Sequence, residues 1–266
     1  ARTTSASADE AQTPFTNATY LWKVSDQYQG GNPASTACNS FSAGEQTACS
    51  AGQGNVQIVH SSGSGLRLAS DKTKCTGSTG GSYRQLMLLT AGQGSANTQT
   101  GEATIAWDGT VMANAYGGLV PWSLSELELH VDASGTGELT ATLGGYGSSM
   151  ENPDELTPLD PTPVTLATFP SVSVSDGVLT ATPDYAGVEV TIPDGAAAAQ
   201  DRTVAGWGSW PQSVINFHIA SGLSSYWYSS GGAADGTKAP APFTVQFDGA
   251  PEVKEAQTPP VFAAAP

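Results

Sequence analysis

Aromatic and imidazole side chains are concentrated in one stretch, Trp207 to Lys238, which holds three of the six tryptophans, two of the eight tyrosines and one of the three histidines. Flat rings gathered on a helix and a neighbouring strand form a natural wall for a planar aromatic ligand. The competing role for the same rings is core packing, because a chain this poor in leucine must fill its interior with large side chains. His218, on the helical part of the stretch, is the histidine best placed to face a pocket. His130 alternates with Leu127, Leu129 and Val131 as an exposed strand residue, and His60 ends an apolar run as a surface residue. No Gly-x-Ser-x-Gly elbow, no Cys-x-x-Cys pair and no phosphate-cradling loop ahead of a helix occurs. Acidic residues are numerous, but nothing brings two together as a glycosidase pair. The chain is therefore read as a non-enzyme.

The elements that would position these rings are legible from periodicity. Ser209 is expected to cap a helix with Pro211 in its first turn, with Trp210, Val214, Phe217 and Ile215, Ile219 on adjoining faces and Gly222 as the stop. Tyr226-Trp227-Tyr228 reads as a short strand, and Phe243 to Phe247 as the closing one. Upstream, Tyr20, Trp22 and Val24 alternate; Val56–Val59 and Leu66–Leu68 interrupt a Gly/Ser/Thr-rich region from 30 to 82, and Leu86–Leu89 reads as a buried strand. The runs Ala103–Trp107, Val111–Ala115, Leu127–Val131 and Glu138–Leu143 are separated by turn signals at Asp108-Gly109 and Ala133-Ser134-Gly135. Residues 151–163, with four prolines, are expected as an extended excursion rather than a strand, followed by strands at Val164–Leu166, Ser171–Ser175, Val178–Ala181 and Val188–Ile192. The fold class is mainly β: an antiparallel β-sandwich with one or two short α-helices.

The 266 residues carry 9 basic and 24 acidic side chains, a formal charge of −15 that repels nucleic acid and anionic lipid. No apolar run reaches the roughly 20 residues a membrane span needs. Residues 1–14 read as a flexible mature N-terminus left by signal cleavage, 15–249 as the β domain, and 250–266 as a Pro/Ala-rich linker to a cell-envelope anchor. In an exported chain with cysteines at 38, 49 and 75, two pair and one is left over. Cys38 with Cys49 closes a short polar loop and is favoured; pairing of either with Cys75 stays open.

Two segments resemble a known family. GTVMANAYGGLVPWSLSELELHVDASGTGELTA looks like the core of HtaA domains, the haem-transport-associated modules of actinobacterial cell-surface proteins, and WPQSVINFHIASGLSSYWYSSGGAADGTKAPAPFTVQF looks like their closing segment. Leu21-Trp22-Lys23-Val24-Ser25 is similar to the opening tryptophan motif. The resemblance spans residues 15–248 and implies haem bound through an axial tyrosine, supported by a turn histidine and a late tyrosine. Carried over, the late tyrosine is Tyr228, the turn histidine falls on Tyr116, and Tyr28 stands nearest the axial position, although its spacing from Trp22 is short. The cations available for haem propionates are Arg67, Arg84, Arg202 and Lys238. Two functions follow. One is an exported surface module that binds haem or a haemoprotein in iron acquisition, with Tyr28, Tyr116, Tyr228 and His218 at the site. The other is a structural or adhesive envelope protein that keeps the fold without haem, using exposed aromatics at Tyr226–Tyr228 to meet another envelope protein or a glycan.

Overall fold

Alternation of apolar and polar residues between Ala103 and Gly147 builds a three-stranded antiparallel meander, the centre of the molecule. In the computed structural model, residues 12–28, 40–45, 50–62, 65–69, 85–115, 120–147, 152 and 155–256 are described. The strands are β1 (Thr13–Trp22), β2 (Ser40–Ala43), β3 (Gly52–Gln53), β4 (Val56–Ser62), β5 (Gly65–Leu68), β6 (Gln85–Ala96), β7 (Ala103–Ala115), β8 (Val120–Val131), β9 (Gly137–Gly147), β10 (Thr157–Phe169), β11 (Val172–Ser175), β12 (Val178–Ala181), β13 (Phe243–Gln246) and β14 (Val253–Lys254). One α-helix, α1 (Gln212–Ser221), is present among the described residues, so the structure is mainly β as expected.

All described strands join one sheet, ordered β10-β9-β8-β7-β6-β1-β13-β12-β11, with β2 on β7 and β3, β4 and β5 branching from β6. Every pairing is antiparallel except β14 on β5. The sheet curls until distant parts meet: a Cβ on Gly101, in the β6–β7 turn, would lie 2.7 Å from a Val172 methyl on β11. Side chains on the inner face then form one continuous core with Trp22, Trp107, Trp122, Trp210 and Trp227 all buried.

Several local expectations are corrected. Asp108-Gly109 does not end a strand; it is a bulge inside β7, where the register against β8 jumps between Trp107 and Thr110. Gly109 has φ 98°, and a Cβ there would sit 2.6 Å from Asn55 Oδ1, so both conformation and space require glycine. The proline-rich stretch is not an excursion either, because Thr157–Phe169 is strand. It lies at the sheet's edge, where prolines remove no ladder partner that a neighbour needs. Val188–Ile192 is not a strand. Two glutamine carboxamides take the place of a strand partner: Gln200 accepts from Val190 N–H and donates to Val188 O, and Gln212 does the same for Thr191 N–H and O. His60 is buried rather than on the surface, since β4 runs between β5 and β6 and carries it on the same face as Ile58. Val253–Lys254, in the expected linker, pairs with Leu66–Arg67, and Arg67 Nη1 donates to Glu255 O at 2.7 Å.

Candidate functional site

At the end of β1 the backbone makes an unusual reversal. Val24, a β-branched residue, takes φ 67°, a left-handed conformation that costs on the order of 1–3 kcal/mol and needs its surroundings to hold it. Ala241 supplies that hold, donating its N–H to Val24 O at 2.7 Å and accepting Trp22 Nε1–H at 2.8 Å. The chain then winds into a one-turn 3-10 helix, Asp26–Tyr28, closed by Tyr28 N–H to Ser25 O. The reversal turns Tyr28 inward, where it is 1% exposed.

Four rings surround Tyr28: Phe41 stacked at 6.3 Å, Trp227 at 5.4 Å, and Trp122 and Tyr226 edge-on at 5.7 and 6.0 Å. Phe41, Ala113 and Trp122 are register neighbours across β2, β7 and β8, so sheet pairing alone places Phe41 and Trp122 on one face. Trp122 Nε1–H donates to the Tyr28 phenol oxygen at 3.1 Å. Neither Trp122 nor Phe41 is among the site residues expected from sequence. For Trp122 the sequence does carry a signal, a tryptophan in the strand that follows the family-like turn.

Helix α1 brings His218 to the same cluster. The helix ends as expected at Gly222, φ 82°, whose N–H reaches His218 O and Ile219 O. Its start differs: Pro211 is the N-cap with no side-chain bond, because the Ser209 hydroxyl donates to Trp210 O instead. Ser213 fastens the helix to β10 by exchanging bonds with Thr165 N–H and O. His218 is fully buried, stacked on Trp227 at 4.4 Å and 12° and edge-on to Trp122 at 5.1 Å. Its Nδ1 lies 2.9 Å from Ser221 Oγ, and that hydroxyl in turn donates to His218 O at 3.1 Å. With the hydroxyl's proton on the carbonyl, Nδ1 carries the imidazole hydrogen and Nε2 keeps a bare lone pair. Nε2 has no hydrogen-bond partner, and neither has the adjacent Trp227 Nε1. Burial alone pushes the His218 pKa down to about 3, so the ring is neutral.

Tyr226–Tyr228 is not a strand. Ser224–Tyr226 forms a one-turn 3-10 helix, and Tyr228 makes an isolated bridge to Ser209. Tyr228 is fully buried, and its hydroxyl donates to Ala198 O at 2.6 Å, which ties two loops together and keeps the phenol protonated. Burial also raises its pKa. Of the four sequence-derived site residues, the structure brings together Tyr28 and His218 and sets Tyr228 to another task. Tyr116, Cys38, Cys49 and Arg84 lie outside the described residues, as does Cys75.

No family model matches this chain, and no curated protein sequence matches it. Solved structures similar to it include two of one domain. The C-terminal domain of HtaA from Corynebacterium glutamicum is 14% identical, with a TM-score of 0.45, over 88% of this chain and 98% of that one. A domain-swapped dimer of a variant of that HtaA domain is 13% identical, with a TM-score of 0.33, over 77% and 81%.

Next to the cluster lies a charged clamp. Lys238, 3% exposed, pairs with Asp235 at 2.7 Å and donates to Tyr228 O and Ser230 Oγ, both at 3.0 Å. Asp235 also accepts from Ser230 and Gly231 N–H, and the bonds from Lys238 and these amides hold its pKa below the usual carboxylate value against the cost of burial. Thr237 Oγ1–H donates to Gln27 Oε1 at 2.7 Å, joining the clamp to the Tyr28 turn. Arg202 pairs with Glu189 and lies over Trp207. No group of three or more His, Cys, Asp or Glu side chains able to hold a metal occurs among the described residues. Among the described residues, one open groove of about 470 Å³ lies between α1 and β10 and another of about 670 Å³ beside β11 and β12; neither of these is lined by Tyr28, His218 or Tyr228.

Proposed function

We propose that this chain is a non-catalytic, exported cell-surface module that binds haem or a haemoprotein, with Tyr28 as the iron ligand. The observation that carries the reading is the Tyr28 phenol oxygen, presented on a strained turn inside a shell of rings and already accepting a hydrogen bond from an indole. The motif resemblance points to the same residue. The donor set fits haem chemically. Phenolate oxygen is a hard anionic ligand for ferric iron, and a neutral donor at its oxygen favours the anionic form. Two further polar atoms of the cluster, His218 Nε2 and Trp227 Nε1, are buried without partners, as in a site completed by something else. A bound haem would supply the Lewis-acidic iron; the protein supplies the phenol, the stacking rings and exclusion of water. Room for the macrocycle requires the rings now covering Tyr28 to part. No helix among the described residues is long and apolar enough to cross a membrane.

A second reading rests on the closed packing itself. With Tyr28 at 1% exposure and the Tyr228 hydroxyl committed to Ala198, the fold serves equally as a structural or adhesive envelope module that meets protein or glycan partners without haem. Haemin titration separates the two. The expected outcome is a saturable one-to-one Soret band that Tyr28→Phe abolishes and Tyr228→Phe preserves. A spectrum identical to free haemin at all ratios rejects the haem reading and leaves the scaffold.

A further inference from the structure

We infer that the groove beside β11 and β12 is a binding site for a neutral saccharide. The inference deepens the adhesive reading and rests on it for its purpose. The groove itself lies apart from the Tyr28 cluster, none of whose rings lines it.

The groove holds about 670 Å³, within the range of sites that take a small organic ligand. One wall is sheet. Ser173 on β11 pairs in register with Thr180 on β12, so both hydroxyls stand on the face away from the buried Leu179 and Ala181. The other wall comes from residues 182–211, the connection from β12 to α1, which forms no helix or strand and only isolated bridges. A connection that long without regular structure is uncommon in a compact domain unless it has a function. Specific bonds hold this one in place. Asp184 N–H donates to Thr168 O at 2.7 Å and Gly187 N–H to Trp207 O at 2.8 Å, beyond the bonds from Gln200 and Gln212. The connection brings Thr182, Asp184 and Tyr185 to the groove.

The lining selects the ligand. Tyr185 is 8% exposed; its hydroxyl is buried without a partner and its carbonyl accepts from Val188 and Ser209 N–H, so it offers the groove its ring. Pro240 adds further apolar surface. Ser173, Thr180 and Thr182 bring hydroxyls, each able to donate and accept. Thr168 Oγ1–H fixes Asp184 through Oδ2 at 3.0 Å, which leaves Oδ1 to accept from a ligand. No Lys, Arg or His is among the described lining residues, in a chain of formal charge −15, so phosphate, sulfate and carboxylate ligands are disfavoured. A neutral sugar ring matches this set: a C–H face for the aromatic ring, hydroxyls that donate and accept at its edge, and no charge. A proline-rich peptide docks on an aromatic-lined groove, and this lining holds one aromatic ring.

The test titrates the whole chain, ¹⁵N-labelled and haem-free, with neutral trisaccharides of gluco, galacto, manno and arabino configuration. Each is taken to about 10 mM, enough to saturate a site of millimolar Kd. At least one is expected to shift the amide resonances of Ser173, Thr180 and Tyr185 saturably, and equally at low and high salt. Thr180→Val keeps the shape and removes the hydroxyl; it should weaken that binding about two- to tenfold, and Asp184→Ala about ten- to hundredfold. Thr180 is half-buried and Asp184 exposed, so both variants are expected to fold, with circular dichroism as the check. Tyr185→Phe, at an enclosed hydroxyl, should bind as wild type does. Resonances unmoved by every trisaccharide, wild-type affinity in both Thr180→Val and Asp184→Ala, or a polyproline peptide that occupies these residues where sugars do not, overturns the inference. Such a result strikes the saccharide site alone, because haemin titration decides between the haem and adhesive readings. Haemin binding lost in Asp184→Ala would assign the groove to haem and overturn the inference as well.

Discussion

Two aromatic regions of one core are finished in different ways. Around Tyr20, each neighbouring indole is tied to the protein's own backbone: Trp107 donates to Ala18 O and Trp22 to Ala241 O, while Trp210, further along the ring chain, donates to Lys238 O. Around Tyr28 the indole of Trp122 spends its hydrogen on a side-chain phenol, Trp227 spends its hydrogen on nothing, and His218 keeps an unused nitrogen. Both regions are equally buried, so burial does not distinguish them. The bookkeeping of polar atoms does, since a group that serves only the fold is normally covered by backbone. Tyr20 itself breaks the pattern, because its hydroxyl is buried without a partner in the first region.

The contrast can be broken by substitution. Trp107→Ala should cost about 3–5 kcal/mol in urea unfolding, the usual loss for a truncated core aromatic, and leave haemin affinity per folded molecule unchanged. A large affinity loss in that variant would erase the distinction between the regions. Asp235→Ala should cost about 3 kcal/mol by leaving Lys238 buried without its counter-charge, with Lys238→Met far milder.

Acid should act chiefly through the Tyr28 region. His218 has its pKa lowered from 6.5 to about 3, so between those values the unfolded chain binds the extra proton. Stability is therefore full above pH 6.5 and falls on acidification by up to about 1.4 kcal/mol per pH unit, levelling near pH 3. His60, also lowered mainly by burial, adds a weaker slope of the same sign. His218→Phe should flatten most of this limb in pH-dependent unfolding; an unaltered limb would show that the ring is not neutral and buried. The smallest effects are expected from single hydroxyls. Tyr228→Phe should lose about 1 kcal/mol with the Ala198 bond, whereas Tyr20→Phe should be neutral or slightly stabilising, because it removes an unpaired group.

What the sequence reveals here depends on how local the deciding interaction is. The helix stop at Gly222 follows from a pattern within a few residues and appears where expected, and the runs Leu127–Val131 and Glu138–Leu143 fall inside β8 and β9, which extend beyond them. Asp108-Gly109 carries the same signal for a turn and for a bulge; only pairing of Thr110 with Ser125 on β8 decides between them. Prolines 158, 161 and 163 argue against a strand until the topology makes that strand an edge. His60 looks exposed in sequence because its cover comes from the neighbouring strands β5 and β6, the latter distant in the chain. At the site, Tyr28 was found through a motif and His218 through helical spacing, but their convergence on Trp122 depends on sheet register and on a reversal at Val24 that no periodicity announces.

The prolines of β10 have a consequence for life at high local density. An outermost strand with a full row of free amides invites the next molecule to add its own strand, and copies tethered side by side would zip into fibres. Along the thirteen residues of β10, three positions offer no amide hydrogen, and Asp160 adds charge between them. The opposite rim, β11, is only four residues long. At high concentration such molecules can therefore crowd together and remain individuals.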